Sequence, residues 1–139
     1  MTVPEFAHEV PVRPEDIDGL GHVNNIVYLR WVQDVATAHW EAAAPAEAQA
    51  ELVWVVLRHE IDYRQAALPG DVVVVRTRVG EATGLTFERR TAITRKGDGR
   101  LLAEARTLWC PLDARTGRPR RVPAAIRAQF STSAPDGSA

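Results

Sequence analysis

The sequence predicts an α+β domain in which a single curled antiparallel sheet of about five strands wraps around one long central helix. Three observations carry this. The chain has 139 residues, enough for one core but not for two. It contains one long helical pattern whose apolar face is too wide for a surface helix. Strand-like runs, one before that helix and four after it, are joined by short segments rich in Gly, Pro and Asp.

From Phe6 to Arg13 the apolar residues Phe6, Val10 and Val12 alternate as in a half-buried strand. The polar loop Pro14-Glu15-Asp16-Ile17-Asp18-Gly19-Leu20-Gly21-His22 follows. In the helix, Tyr28, Trp31, Val35 and Ala38 recur at steps of three and four, with Val32, Ala36 and Trp40 as a second stripe. Asn24 or Asn25 is placed to cap its start, because a short amide side chain satisfies an orphan donor of the first turn. Ala42-Ala43-Ala44-Pro45 ends it.

After a short polar segment, strands are expected over Leu52 to Arg64, Asp71 to Val79, Leu85 to Arg95 and Leu101 to Cys110. The turns Leu68-Pro69-Gly70-Asp71, Gly80 to Gly84 and Lys96-Gly97-Asp98-Gly99 make consecutive strands antiparallel. Val122-Pro123 opens a short helix through Phe130. One domain over residues 1–130 is expected, with residues 131–139 (Ser-Thr-Ser-Ala-Pro-Asp-Gly-Ser-Ala) as a disordered tail.

Composition excludes several chemistries. With 17 basic and 18 acidic residues there is no basic field for nucleic acid. Serine occurs only at 131, 133 and 138, inside the expected tail, which argues against a serine hydrolase. His8, His22, His39 and His59 have no metal-ligand spacing among themselves or with Cys110, so no metal is expected. One cysteine, no membrane-length apolar run and no leader-like N-terminus give a cytoplasmic expectation.

The chemistry concentrates in Asp18-Gly19-Leu20-Gly21-His22-Val23-Asn24-Asn25. A carboxylate stands in a glycine-containing loop just before a helix start, where free N–H groups and the positive dipole end favour developing negative charge. A carbonyl bound there would be polarised as in an oxyanion hole, leaving Asp18 to attack it or to activate water. The same residues also suit plain turn forming and capping.

The segment from Val12 to Trp31, with its Asp-x-x-Gly-His-Val-Asn-Asn-x-x-Tyr form, resembles the opening signature of hotdog-fold acyl-CoA thioesterases of the 4-hydroxybenzoyl-CoA thioesterase type. It is also similar to that of long-chain acyl-CoA and acyl-carrier-protein thioesterases. The resemblance extends more weakly through Leu68-Pro69-Gly70-Asp71 and the later strands to Phe130. It implies hydrolysis of an acyl-CoA or acyl-carrier-protein thioester, with CoA present only as part of the substrate and no cofactor. Asp18 falls on the family's nucleophile or general base, and the Asn25 N–H on its oxyanion donor. His22 and Asn24 are candidates to orient water or the thioester, and Tyr28 and Trp31 to line the acyl pocket. The resemblance further implies a site shared between two copies, as a homodimer or a dimer of dimers. The matching region of the second copy spans Arg58 to Tyr63, where His59, Ile61 and Tyr63 alternate onto one face.

Two positions depart from the aromatic-CoA pattern. The segment Gly80-Glu81-Ala82-Thr83-Gly84 carries no base to meet CoA phosphates, which directs attention to Arg58, Arg64, Arg89 and Arg90, or to an acyl-carrier protein. His22 and Asn24 stand where apolar or aromatic residues are usual, a shift toward aliphatic acyl groups. Two other functions are weighed: a hydratase or dehydratase on the same fold, whose Asp-x-Asn-Pro-x-His pattern is absent, and a non-catalytic acyl-thioester-binding module.

Overall fold

The structure is a computed structural model that describes residues 4–131. In chain order it contains β1 (Glu5–Pro11), a 3-10 turn (Pro14–Asp16), α1 (Asn25–Ala43), α2 (Ala46–Glu51), β2 (Leu52–Tyr63), β3 (Val72–Ala82), β4 (Phe87–Arg95), β5 (Leu101–Asp113) and α3 (Ala124–Phe130). The five strands form one antiparallel sheet in the order β1-β3-β4-β5-β2, with α1 against its inner face.

Both apolar stripes of α1 are used. Val27, Tyr28, Trp31, Val32, Val35, Ala36, His39 and Trp40 are buried. Around the first half of the helix, Tyr28, Trp31 and Val35 pack with Val73, Val75, Ile93 and Leu102 of the sheet. Around the second half, Trp40 packs with Phe87, Trp109 and Phe130. Each large apolar side chain removed from water in this way contributes roughly 1.5–3 kcal/mol.

The strand order differs from the expectation at one connection. The turns β3–β4 and β4–β5 make hairpins, but β2 and β3 are not neighbours, because β2 pairs with β5 at the far edge. Three inter-strand steps come to about 14 Å, a distance that residues 64–71 span easily. Arg64 and Gln65 N–H groups donate to the Leu102 carbonyl, and the Ala67 N–H donates to Tyr28 Oη, so the link crosses past the start of α1.

Three boundaries also differ. The polar segment after Pro45 is the short helix α2, in which only Ala48 is buried, too little to give a period in the sequence. Strand β5 continues beyond Cys110, with Pro111 in register with Trp54 and its carbonyl accepting from the Arg120 N–H. Ser131, expected in the tail, is buried, and its hydroxyl donates to the Gly80 carbonyl at 2.6 Å. The rest of the expected tail lies outside the described residues. Among the described residues, no helix is long and apolar enough to cross a membrane.

A bulge decides which face of β2 meets the helix. Val56 pairs with Trp109 and Arg58 with Leu108, so Leu57 has no counterpart on β5. The extra residue resets the alternation. Trp54 and Val56 face inward before the bulge, and His59 and Ile61 continue that face after it. Without the bulge, Arg58, Glu60 and Asp62 would point at the core.

Candidate active site

Two aspartates build the loop before α1, and they do different work. Asp16 is buried, 2% exposed, and its carboxylate accepts from the Arg13 N–H and from Arg30 Nη2, both at 2.9 Å. Burial alone would raise its pKa. The Arg13 N–H and the Arg30 guanidinium outweigh that and hold the carboxyl below its ordinary value. Asp16 thus pins the loop to α1, and the sequence reading missed it, since nothing in the spacing joins Asp16 to Arg30.

Asp18 is partly exposed and closes the loop on itself. Its Oδ1 accepts from the Leu20 N–H at 2.9 Å and the His22 N–H at 3.3 Å, while its own N–H donates to the His22 carbonyl at 2.8 Å. Gly21 supplies the positive φ of 78° that this turn requires. The carboxylate is therefore fixed in direction by its own backbone, with Oδ1 committed to the two N–H groups.

At the helix start the donors are accounted for one by one. The Asn24 N–H goes to the Asp16 carbonyl, the Ile26 N–H to Asn24 Oδ1 at 3.1 Å, and the Val27 N–H to the Asn24 carbonyl. Asn24 is the cap, as its residue type suggests. The Asn25 N–H has no partner among the described residues, and it is the donor of the first turn left open.

Asp18, His22, Asn24, Asn25, Tyr28 and Tyr63 line one open groove of about 380 Å³. Its far wall is Tyr63 and residues 64–66 of the crossing link. Tyr63 Oη donates to the Asn25 carbonyl at 3.1 Å, and its ring meets that of Tyr28 edge-on at 5.3 Å. The Tyr28 hydroxyl is committed to the Ala67 N–H at 2.8 Å, so Tyr28 shapes the wall from within the core.

Within one copy of the chain, the remaining candidates do not line this groove. Trp31 is 2% exposed and sits in the core between helix and sheet. His59 faces its own helix. Its Nε2 lies 3.2 Å from the Gln33 amide nitrogen and its Nδ1 2.9 Å from Thr107 Oγ1. Burial lowers its pKa and keeps it neutral. Ile61 packs against the core cluster around Trp31.

Of the arginines considered for CoA phosphates, Arg64 borders the groove, paired with Glu104 at 2.6 Å. Arg58 and Arg90 pair with Glu60 and Glu88 elsewhere. Arg89 is buried beneath the other half of α1 beside His39 and does not meet surface phosphates. Among the described residues, no group of three or more His, Cys, Asp or Glu is arranged to hold a metal ion.

A family model and three known proteins are similar to this chain. The family model for the thioesterase-like superfamily matches residues 12–130. The Escherichia coli K12 long-chain acyl-CoA thioesterase FadM is 23% identical over 113 residues, 78% of this chain and 83% of that protein. A thioesterase from Thermus thermophilus, solved with coenzyme A and zinc, superposes with a TM-score of 0.78 at 29% identity, covering 92% of this chain and 98% of that one. Staphylococcus aureus SAV2348, solved with CoA, gives a TM-score of 0.82 at 20% identity over 93% of this chain and 83% of its own, a likeness of fold. The sheet curled around a helix is the hotdog architecture that the motif loop implies.

Proposed function

Because the chain belongs to the thioesterase-like superfamily, we propose that it hydrolyses acyl-CoA thioesters to a carboxylic acid and free CoA at the groove before α1. The observation that carries this is the pairing, along one groove, of a carboxylate held by its own loop with the open Asn25 N–H at a helix start. The thioester carbonyl oxygen sits on the Asn25 N–H, where the helix dipole stabilises the charge that develops as the carbonyl carbon is attacked.

Asp18 acts by one of two routes. As a nucleophile it adds to the carbonyl carbon, the C–S bond breaks, and the resulting anhydride is hydrolysed by water. As a general base it takes a proton from water, whose hydroxide adds to the carbon before thiolate leaves and takes the proton. Neither route needs a metal or an organic cofactor. His22 and Asn24 border the same groove, and Asn24, its oxygen used as the cap, has its amide N–H groups for orienting water or the thioester.

A second copy of the chain completes the site. Strand β2 is one of the sheet's two unpaired edges, and Val53, Val55 and Leu57 on it are 45%, 40% and 57% exposed. A long apolar edge of this kind invites antiparallel pairing with its own copy about a two-fold axis. The proposed setting is the cytoplasm, supported by a single, free and buried Cys110.

The test is release of free thiol from a panel of acyl-CoAs of different chain lengths, with benzoyl-CoA, an enoyl-CoA and an acyl-carrier-protein thioester alongside. Thiol release from saturated acyl-CoAs is expected. Binding without release would make the chain a non-catalytic module, and hydration of the enoyl-CoA alone would make it a hydratase.

A further inference from the structure

At the other end of α1 lies a second cavity of about 320 Å³, at the small end of the range for small-molecule sites. Trp40, which lines it, follows Asn25 along the helix by about 22 Å of rise. Its walls are aromatic. Trp40 meets Trp54 edge-on at 5.3 Å, Trp54 meets Phe87 at 4.8 Å, and Trp109 and Phe130 add two more rings, with Thr37, Glu41 and Gln49 also on the lining.

Into this apolar surround the sheet places a guanidinium. Arg89 on β4 is 6% exposed and lines the cavity. Its Nη1 donates to His39 Nδ1 at 3.0 Å and Thr77 Oγ1 at 3.3 Å. Both acceptors are neutral: burial, with the Arg89 charge beside it, pushes His39 down to about 4. Burial also pushes Arg89 down to about 10, which leaves it protonated at neutral pH. Among the described residues, no ion pair includes Arg89, and Glu41, the carboxylate lining the cavity, is exposed and unpaired with it.

A buried cation whose partners are all neutral is costly to keep. Two of the lining residues also carry unsatisfied groups: among the described residues, the buried Trp54 Nε1 and Trp109 Nε1 lack hydrogen-bond partners. An anion with an apolar body answers both the charge and the aromatic walls, and a carboxylate matches the planar fork of a guanidinium.

We propose that this cavity binds a carboxylic acid with an apolar or aromatic body, its carboxylate seated on Arg89. The carboxylate has two possible sources. One is a free acid, the chemical class of the product of thioester hydrolysis. The other is the far end of an acyl group that carries a second carboxylate. Antiparallel pairing of two β2 edges would bring the start of one strand, which lines this cavity, beside the end of the other, which lines a groove. Only the second source rests on the proposed hydrolysis.

The test is a titration of the full-length protein with benzoate and hexanoate, and with benzamide and hexanamide as neutral matches. Intrinsic fluorescence is the readout, since three of the four tryptophans line the cavity. Saturable changes are expected with the acids, with the amides about 10- to 100-fold weaker. Arg89→Met should bring the acids to the level of the amides. The acid–amide comparison on unaltered protein stands without that variant: equal affinities, or no saturable change with either acid, overturn the proposal. A chain ending at Ser131 is titrated in parallel. Acid binding seen only there also overturns it, because the cavity would then not be open to acids in the unaltered protein. A kcat/KM preference for adipoyl-CoA over hexanoyl-CoA that Arg89→Met removes assigns the carboxylate to the substrate. Acid binding without that preference assigns it to a free acid. Acid binding with no thiol release from any substrate faults the proposed hydrolysis and leaves this site standing.

Discussion

Tyr63, the last residue of the edge strand, donates its hydroxyl to the carbonyl of Asn25, the first residue of the central helix, at 3.1 Å. The helix start that presents the open N–H is thereby tied to the strand at which a second copy is proposed to join. This one bond joins the proposed pairing strand to the proposed oxyanion donor.

Tyr63→Phe removes the hydroxyl and keeps the ring contact with Tyr28. One half-exposed neutral hydrogen bond is at stake, so the loss of stability in urea denaturation should be about 1 kcal/mol or less. Thiol release should fall by less than about tenfold, because the Asn25 N–H itself remains.

Asp16→Ala removes the acceptor of both Arg13 N–H and Arg30. Leaving these donors without their partner should cost about 1–3 kcal/mol in urea denaturation. Arg30→Met should cost a comparable amount, because it leaves the buried Asp16 carboxylate with only the neutral Arg13 N–H as partner.

Stability should fall on acidification between about pH 6.5 and pH 4. His39 has a folded value of about 4 against an ordinary value of 6.5, so in that window the unfolded chain binds the extra proton. Stability therefore rises with pH, by up to about 1.4 kcal/mol per pH unit. Asp16, whose value is lowered, acts in the same direction below its ordinary range. Urea midpoints at pH 4.5 and 6.5 should differ in the unaltered protein and differ less in His39→Gln.

The β2 edge predicts a dimer by size exclusion with light scattering. Leu57 lies at the bulge near the middle of the strand, close to where a two-fold axis would pass. Leu57→Lys would place like charges opposite one another across that axis. It should shift the protein toward monomer and lower activity in parallel. A fully active monomer would remove the shared-site proposal.

Much of this was legible in residue patterns because local physics writes it there. The burial of Tyr28, Trp31, Val32 and Val35 follows from helical spacing, and the Asn24 cap from its residue type. The order of the strands is not a local property. Residues 64–71 look like a hairpin connection, and only their bonds to Leu102 and Tyr28 reveal a crossing. The same limit hides Asp16, whose partner Arg30 sits on a different element, and the bulge at Leu57, which appears only against the register of β5. Arg89 reads as a surface base in a Glu-Arg-Arg run, and only its inward position, continuing from Phe87 on the same face of β4, shows it to be buried.

The most direct test of the account is Asp18→Asn, assayed for thiol release from acyl-CoA with CoA binding measured in parallel. Asparagine retains an oxygen to accept from the Leu20 and His22 N–H groups, so the loop should hold and only the charge is lost. Hydrolysis should fall by about 10²- to 10⁴-fold with CoA binding intact. Hydrolysis at the unaltered rate in that variant would contradict it.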